Sequence, residues 1–223
     1  MRIALFLSFF FFILEARANP MRQPITFVRM RGDYQISDEL AETIMSYALY
    51  KASLVGFRPR KVALMDLPNP CAQPSNISDF NQLYATHACF AVLRSKMRAK
   101  GIVHFIMAPT IIDGHSWLWG LGTVCQLSRE KPFIIGSAID RRIPTGELRD
   151  GASKIIAAHE LLHVFGADSS VKEEDGIMWI GAAQLGVIDN SADPSISSKS
   201  RNQIRGCIRK TRRQNWIKSH RRP

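Results

Sequence analysis

Residues 155–166 read I-I-A-A-H-E-L-L-H-V-F-G. His159 and His163 stand four positions apart, so on a helix they project from one face, one turn apart. Two imidazoles placed this way can both reach one zinc ion at about 2.0–2.1 Å, and neutral imidazole suits that metal. Glu160 sits about 100° around the helix from His159. There its carboxylate can take a proton from a water activated by the metal without being a ligand itself. The chemistry this allows is hydrolysis of a polarised carbonyl, with Glu160 as the catalytic base. The stretch is otherwise apolar, and burying two imidazoles and a carboxylate without partners would be costly. A metal site accounts for that cost.

Other residues with chemical capacity fit less well. His87 and His104 lie amid apolar neighbours and read as core histidines, while His115, in D-G-H-S-W, falls in a loop that could approach a cleft. No G-x-S-x-G elbow, no G-x-x-x-x-G-K-[ST] loop and no C-x-x-C pair occurs, which removes the usual signals for a serine hydrolase, a P-loop nucleotide site and a cysteine-held zinc. Trp117 and Trp119 read as cover for the core or a cleft wall.

The elements that must position the histidines follow from periodicity and punctuation. Strands are predicted at residues 25–30, 61–67 (a buried type), 102–107, 124–127 and 133–139. Helices are predicted from Ser37-Asp38 to about 56, from 78 or 79 to about 100, from about 150 to Phe165 with Gly166 as its stop, and from about 197 to 214. Residues 114–122 form a Gly/Trp-rich loop and 168–195 look irregular. Strands alternating with long helices imply a twisted, mostly parallel sheet, and the loop-rich second half makes the layout α+β with a cleft between the parts.

The 223 residues suit one domain behind a leader. Arg2, the mostly apolar run 3–14 and Ala16-Arg17-Ala18 have the form of a signal peptide spanning 1–18, and a run of twelve residues is too short for a bilayer, which takes about 20. The protein is therefore expected to be secreted, extracellular or periplasmic, and to act as a monomer. Four cysteines then suggest two disulfides with three possible pairings; Cys71–Cys89 with Cys125–Cys207 is preferred because the first closes a local loop. Asn76-Ile77-Ser78 is a glycosylation sequon. Residues 19–198 hold 18 basic and 18 acidic side chains, whereas 199–223 hold ten basic and none acidic. The body, 19–198, is neutral. The tail, 199–223, reads as a basic helix whose Arg201, Arg205, Arg209, Arg212 and Arg213 could meet a polyanion or an anionic membrane surface, or could simply be solvated.

On these residues the chain resembles the metzincin zinc metallopeptidases, whose mark is H-E-x-x-H-x-x-G-x-x-H with a later Met-turn. His159, Glu160, His163 and Gly166 match, and Asp175-Gly176-Ile177-Met178-Trp179 is similar to the Met-turn. Gly120-Leu121-Gly122-Thr123-Val124-Cys125 resembles the segment before the edge strand in adamalysin-like (reprolysin-type) members, which would make residues 133–139 the antiparallel edge strand that binds extended peptide. The resemblance implies a zincin-like catalytic domain with a loop-rich C-terminal subdomain, a Zn2+ cofactor and endopeptidase activity on protein or peptide substrates. It implies that Met178 supports the metal from below. The third ligand position of the family falls on Ser169, and the implied substitute is Asp168, one residue earlier. Two other readings stay open: a catalytically impaired binding module, favoured by Ser169, and a cationic effector acting through the tail.

Overall fold

The computed structural model describes residues 21–31, 36–71, 80–107, 111–112, 116–117, 120–121, 124–127, 130–137, 147–169, 176–179, 189 and 191–220. The expected signal peptide, the sequon, His115, Trp119 and Asp175 lie outside the described residues. In chain order the elements are β1 (Met21–Arg31), α1 (Asp38–Ser53), β2 (Phe57–Pro68), α2 (Phe80–Lys96) and β3 (Ile102–Met107). There follow β4 (Ile111–Ile112), β5 (Ser116–Trp117), β6 (Gly120–Leu121), β7 (Phe133–Ser137), α3 (Glu147–Phe165) and α4 (Ser198–His220). Among the described residues no helix is long and apolar enough to cross a membrane.

The main sheet has the order β2-β1-β3-β7-β6. The first four strands run parallel, and β6 pairs antiparallel with β7. β1, β3 and β7 are apolar on both faces, as strands covered by helices on both sides must be. Two clusters result. Ile25, Phe27, Ile102, Ile106 and Ile134 pack with Ile44, Leu161 and Phe165 of α1 and α3. Val28, Val103, Phe105 and Ile135 pack on the opposite side with Phe90 of α2, whose ring lies 4.9 Å from that of Phe105. α1 starts where expected: the Ser37 hydroxyl accepts the Leu40 N–H at 3.1 Å.

Three expectations are corrected. β2 is not a buried strand; it is the outer edge of the sheet, its side chains are mostly partly or fully exposed, and it runs longer than 61–67. Residues 124–127 form a turn, with Cys125 at φ 57°. Phe133–Ser137 is not the antiparallel edge: it is parallel to β3 and internal, because Phe133, Ile134 and Ile135 carry apolar bulk to both faces. The antiparallel edge position belongs to Gly120–Leu121, inside what reads as a loop. Both preferred disulfides, Cys71–Cys89 and Cys125–Cys207, are present.

Candidate metal centre

α3 presents one apolar face to the sheet. Ile155, Ala158, Leu161, Leu162 and Phe165 are fully buried there, and Phe165 stacks on Phe57 at 3.8 Å between ring centroids. That anchoring sets the rotation of the helix and hence the direction of His159 and His163. The helix ends at Gly166, at φ +111°, where a Cβ would lie 2.5 Å from Cys207 Cβ. Three of its last four carbonyls are claimed: His163 O accepts from Gly166 and Cys125, Leu162 O from Ala167, and Val164 O from Gln126. The Cys125–Cys207 bridge ties this cap to α4.

The two imidazoles meet nearly edge to face, with centroids 4.8 Å apart. His159 Nδ1 lies 2.7 Å from Ile177 O, and His163 Nδ1 lies 2.8 Å from Ala167 O. A carbonyl oxygen can only accept, so each Nδ1 carries the proton and each Nε2 of a neutral ring carries a lone pair. The two Nε2 atoms face each other at 3.1 Å. Burial, and for His159 then its neighbour His163, pushes the pKa of His159 down to about 4; burial likewise lowers that of His163. Both rings are thus neutral at neutral pH, with two lone pairs converging and no proton between them. A cation between them resolves the clash. Tetrahedral zinc at ordinary bond lengths holds two donor nitrogens about 3.3 Å apart, close to the spacing here. The residues present therefore fit a divalent metal.

Glu160 completes the cluster: His159, Glu160 and His163 each offer a ligand-type atom, all within 4.8 Å of one another. Glu160 is 5% exposed, and burial raises its carboxyl to about 8. A nearby divalent cation acts in the opposite sense and favours the carboxylate.

Asp168 is not brought into this cluster. It is exposed, its Oδ1 accepts the Ser169 N–H at 3.0 Å, and its own N–H donates to Gln203 Oε1 at 3.1 Å. Ser169 Oγ instead lies 3.3 Å from His163 Nε2. Met178 is buried in the turn at 176–179, where Trp179 N–H donates to Gly176 O at 2.9 Å. His104 is buried inside the sheet against Phe27, and His87 lies 4.9 Å from the Phe133 ring.

The residues that sequence reasoning missed are the holders of this geometry. Ile177 O orients His159, and Ile177 N–H is in turn fixed by Ser195 O at 2.8 Å. The neighbouring Pro194 O and Asp193 carboxylate are gripped by the buried Lys51 ammonium on α1, with Tyr47 OH donating to Asp193 at 2.8 Å. Backbone carbonyls carry no residue-type signature, so no motif marks them. Ser169 did carry a signal, since it occupies the third-ligand position of the resembled pattern.

No protein-family model matches the chain, and no curated protein does. Solved structures do. Archaemetzincin from Methanopyrus kandleri is similar with a TM-score of 0.54 at 15% identity, over 88% of this chain and 99% of that one. Metalloproteinase-II from Bacteroides fragilis is similar with a TM-score of 0.55 at 13% identity, over 84% of this chain and 53% of that one, so the match spans about half the length of that protein. At such identities the likeness establishes architecture: the chain has the zincin-like α/β fold that it shares with archaemetzincin.

Proposed function

We propose that this chain is a secreted, zinc-dependent endopeptidase. The observation that supports it most is the pair of unprotonated Nε2 atoms facing each other at 3.1 Å, each ring held by its Nδ1–H on a backbone carbonyl. His159 and His163 would hold the metal. Asp168 would supply the third ligand by turning its carboxylate from the Ser169 amide toward the imidazoles. Zinc held there would supply Lewis acidity toward a peptide carbonyl and the attacking water. Glu160 takes the proton of that water on its carboxylate and returns it to the departing amine. Its apolar surroundings keep the proton between those two stations rather than in bulk solvent. Secretion is supported by the leader-like residues 1–18 and by the two disulfides. Kinship to adamalysin-like members rests on the segment from Gly120 to Cys125.

The test is Glu160→Gln. It should retain stoichiometric zinc and lose about 10²–10⁴-fold in peptide cleavage. Undiminished cleavage would refute the role of Glu160.

A second reading has its own support: Ser169 in the third-ligand position and Asp168 exposed favour a binding module with impaired catalysis. Protein with stoichiometric zinc that cleaves nothing in a diverse peptide library would decide for it.

A further inference from the structure

Two cavities away from the metal centre are walled by cations. The larger, about 710 Å³, lies where β1 and β2 begin and the segment after α2 returns to the sheet; Arg22, Arg58, Arg60, Arg98 and Lys100 line it. The smaller, about 380 Å³, lies between residues 54–56 and α4, against Arg201, Arg205, Arg209 and Arg212. Both volumes fall in the range of small-ligand sites. Among the described residues no acidic side chain lines either cavity. None of the five cations of the larger cavity, nor Arg205 or Arg209, has a hydrogen bond or ion pair among the described residues.

The arrangement is built rather than scattered. Arg22 and Arg58 are register partners on adjacent parallel strands, about 4.8 Å apart and directed to the same face. Like charges directly opposite one another are destabilising unless an anion joins them. The segment bearing Arg98 and Lys100 is held against β1 by Gly101, at φ +75°, where any Cβ would overlap Pro24 O. On α4, Arg201, Arg205, Arg209 and Arg212 follow one helical stripe about 16 Å long. Gly56 lines the smaller cavity and Arg58 the larger, and two residues span at most about 7 Å. The cavities therefore adjoin where the chain enters β2, the larger on the α2 side of the sheet and the smaller on the α1 side.

The chemistry of the walls selects the occupant. Among the described residues eight of the nine lining cations are arginines, whose planar forks grip oxyanions with paired hydrogen bonds. The sites are concave, which a bilayer surface cannot follow and a duplex is too wide to enter. Among the described residues no aromatic side chain lines either cavity, so this lining offers no stacking platform of the kind that holds single-stranded nucleic acid. Leu54, Val55, Ile208, Pro24 and Pro59 offer apolar floor between the charges. We propose that the two cavities form one binding path around the start of the edge strand β2 for a linear sulfated polysaccharide, its sulfate groups seated between the arginines and its sugar rings on the apolar floor. This path is independent of the metal centre and joins cations of the neutral body to those of the basic tail.

The test is titration of the full chain with a heparin-derived decasaccharide at about 50 mM and about 200 mM salt, the higher salt weakening the binding as bound counterions are released. Arg58→Glu/Arg60→Glu and Arg205→Glu/Arg209→Glu should each weaken binding about tenfold or more, as losses of paired charges do at interfaces. Lys210→Glu/Arg213→Glu makes the same charge change on exposed positions of α4 that line neither cavity, and should cost less than about twofold. Melting curves and zinc content confirm the fold of each variant, and glutamine replacements stand in where a glutamate pair fails to fold. Equal losses in all three pairs, no loss in either cavity pair, or tighter binding to phosphatidylserine vesicles or oligothymidine would each overturn the proposal.

Discussion

A single imidazole shows how the site is specified. His163 spends its Nδ1–H on Ala167 O, four residues on, which is possible only because the helix stops at Gly166 and the chain turns back. His159 spends its own on Ile177 O, from a segment fixed through Ser195. The H-E-x-x-H spacing was enough to place both rings on one face. It could not say which backbone carbonyls would set their tautomers. The third donor is where residue-level inference is most exposed to test. If Asp168 turns in as a ligand, Asp168→Ala should weaken zinc binding by more than about a hundredfold in chelator competition, since even outer-shell changes cost about 10–100-fold. Ser169→Ala should stay within about tenfold, the scale of losing one contact to an imidazole. The reverse ranking would assign the third position to the Ser169 hydroxyl, 3.3 Å from His163 Nε2.

At the scale of elements, the helices were legible and the strands only partly so. α1 and α3 announce themselves by 3.6-residue periodicity, a serine cap and a terminal glycine. Strand β3 lies just where its apolar run, interrupted by His104, predicts. A similar run in β2 misleads, because apolar content does not say whether a strand is central or at an edge; Val62 and Met65 are exposed. Gly120–Leu121 is too short for any pattern, and residues 124–127 look like a strand yet serve as a cap on α3. That cap makes a prediction. Gly166→Ala would place a Cβ 2.5 Å from Cys207 Cβ at φ +111°. It should cost about 1–2 kcal/mol for the left-handed backbone and about 1–3 kcal/mol for overpacking. Gly206→Ala, within α4 and with nothing inside 4 Å of its Cβ, should instead stabilise by about 0.5–1 kcal/mol. Thermal melts of the two variants should therefore shift in opposite directions; a shared direction would mean that the contact between the turn and α4 does not hold the end of α3.

Across the whole molecule, charge and burial are sorted by position in the sheet. The outer strand β2 carries cations, while the central strand β3, flanked by β1 and β7, carries a histidine that water does not reach. His104 is 0% exposed, its ring lies 5.3 Å from that of Phe27, and its Nε2 occupies space that a side chain at Gly136 would need. Neither ring nitrogen has a hydrogen-bond partner among the described residues. Burial drives its pKa from 6.5 down to about 3. Between those values the unfolded chain binds the proton and the folded one refuses it. This contribution to stability is complete above about pH 6.5 and is lost as pH falls toward 3, by up to about 1.4 kcal/mol per unit. Against a total of about 5–15 kcal/mol, two pH units matter. Asp66 and Asp193, whose carboxyls are held below the usual range by Arg29 for the first and by Lys51 and Tyr47 against its own burial for the second, lose their contribution only at lower pH, as they become protonated. The two windows are separable. Urea unfolding of the wild type and of His104→Leu at about pH 7 and about pH 4.5 should show the wild type losing about 2–3 kcal/mol more than the variant. Equal losses would move the acid sensitivity to His159 and His163, the other buried imidazoles, and would leave His104 as an ordinary filler of the space above Gly136.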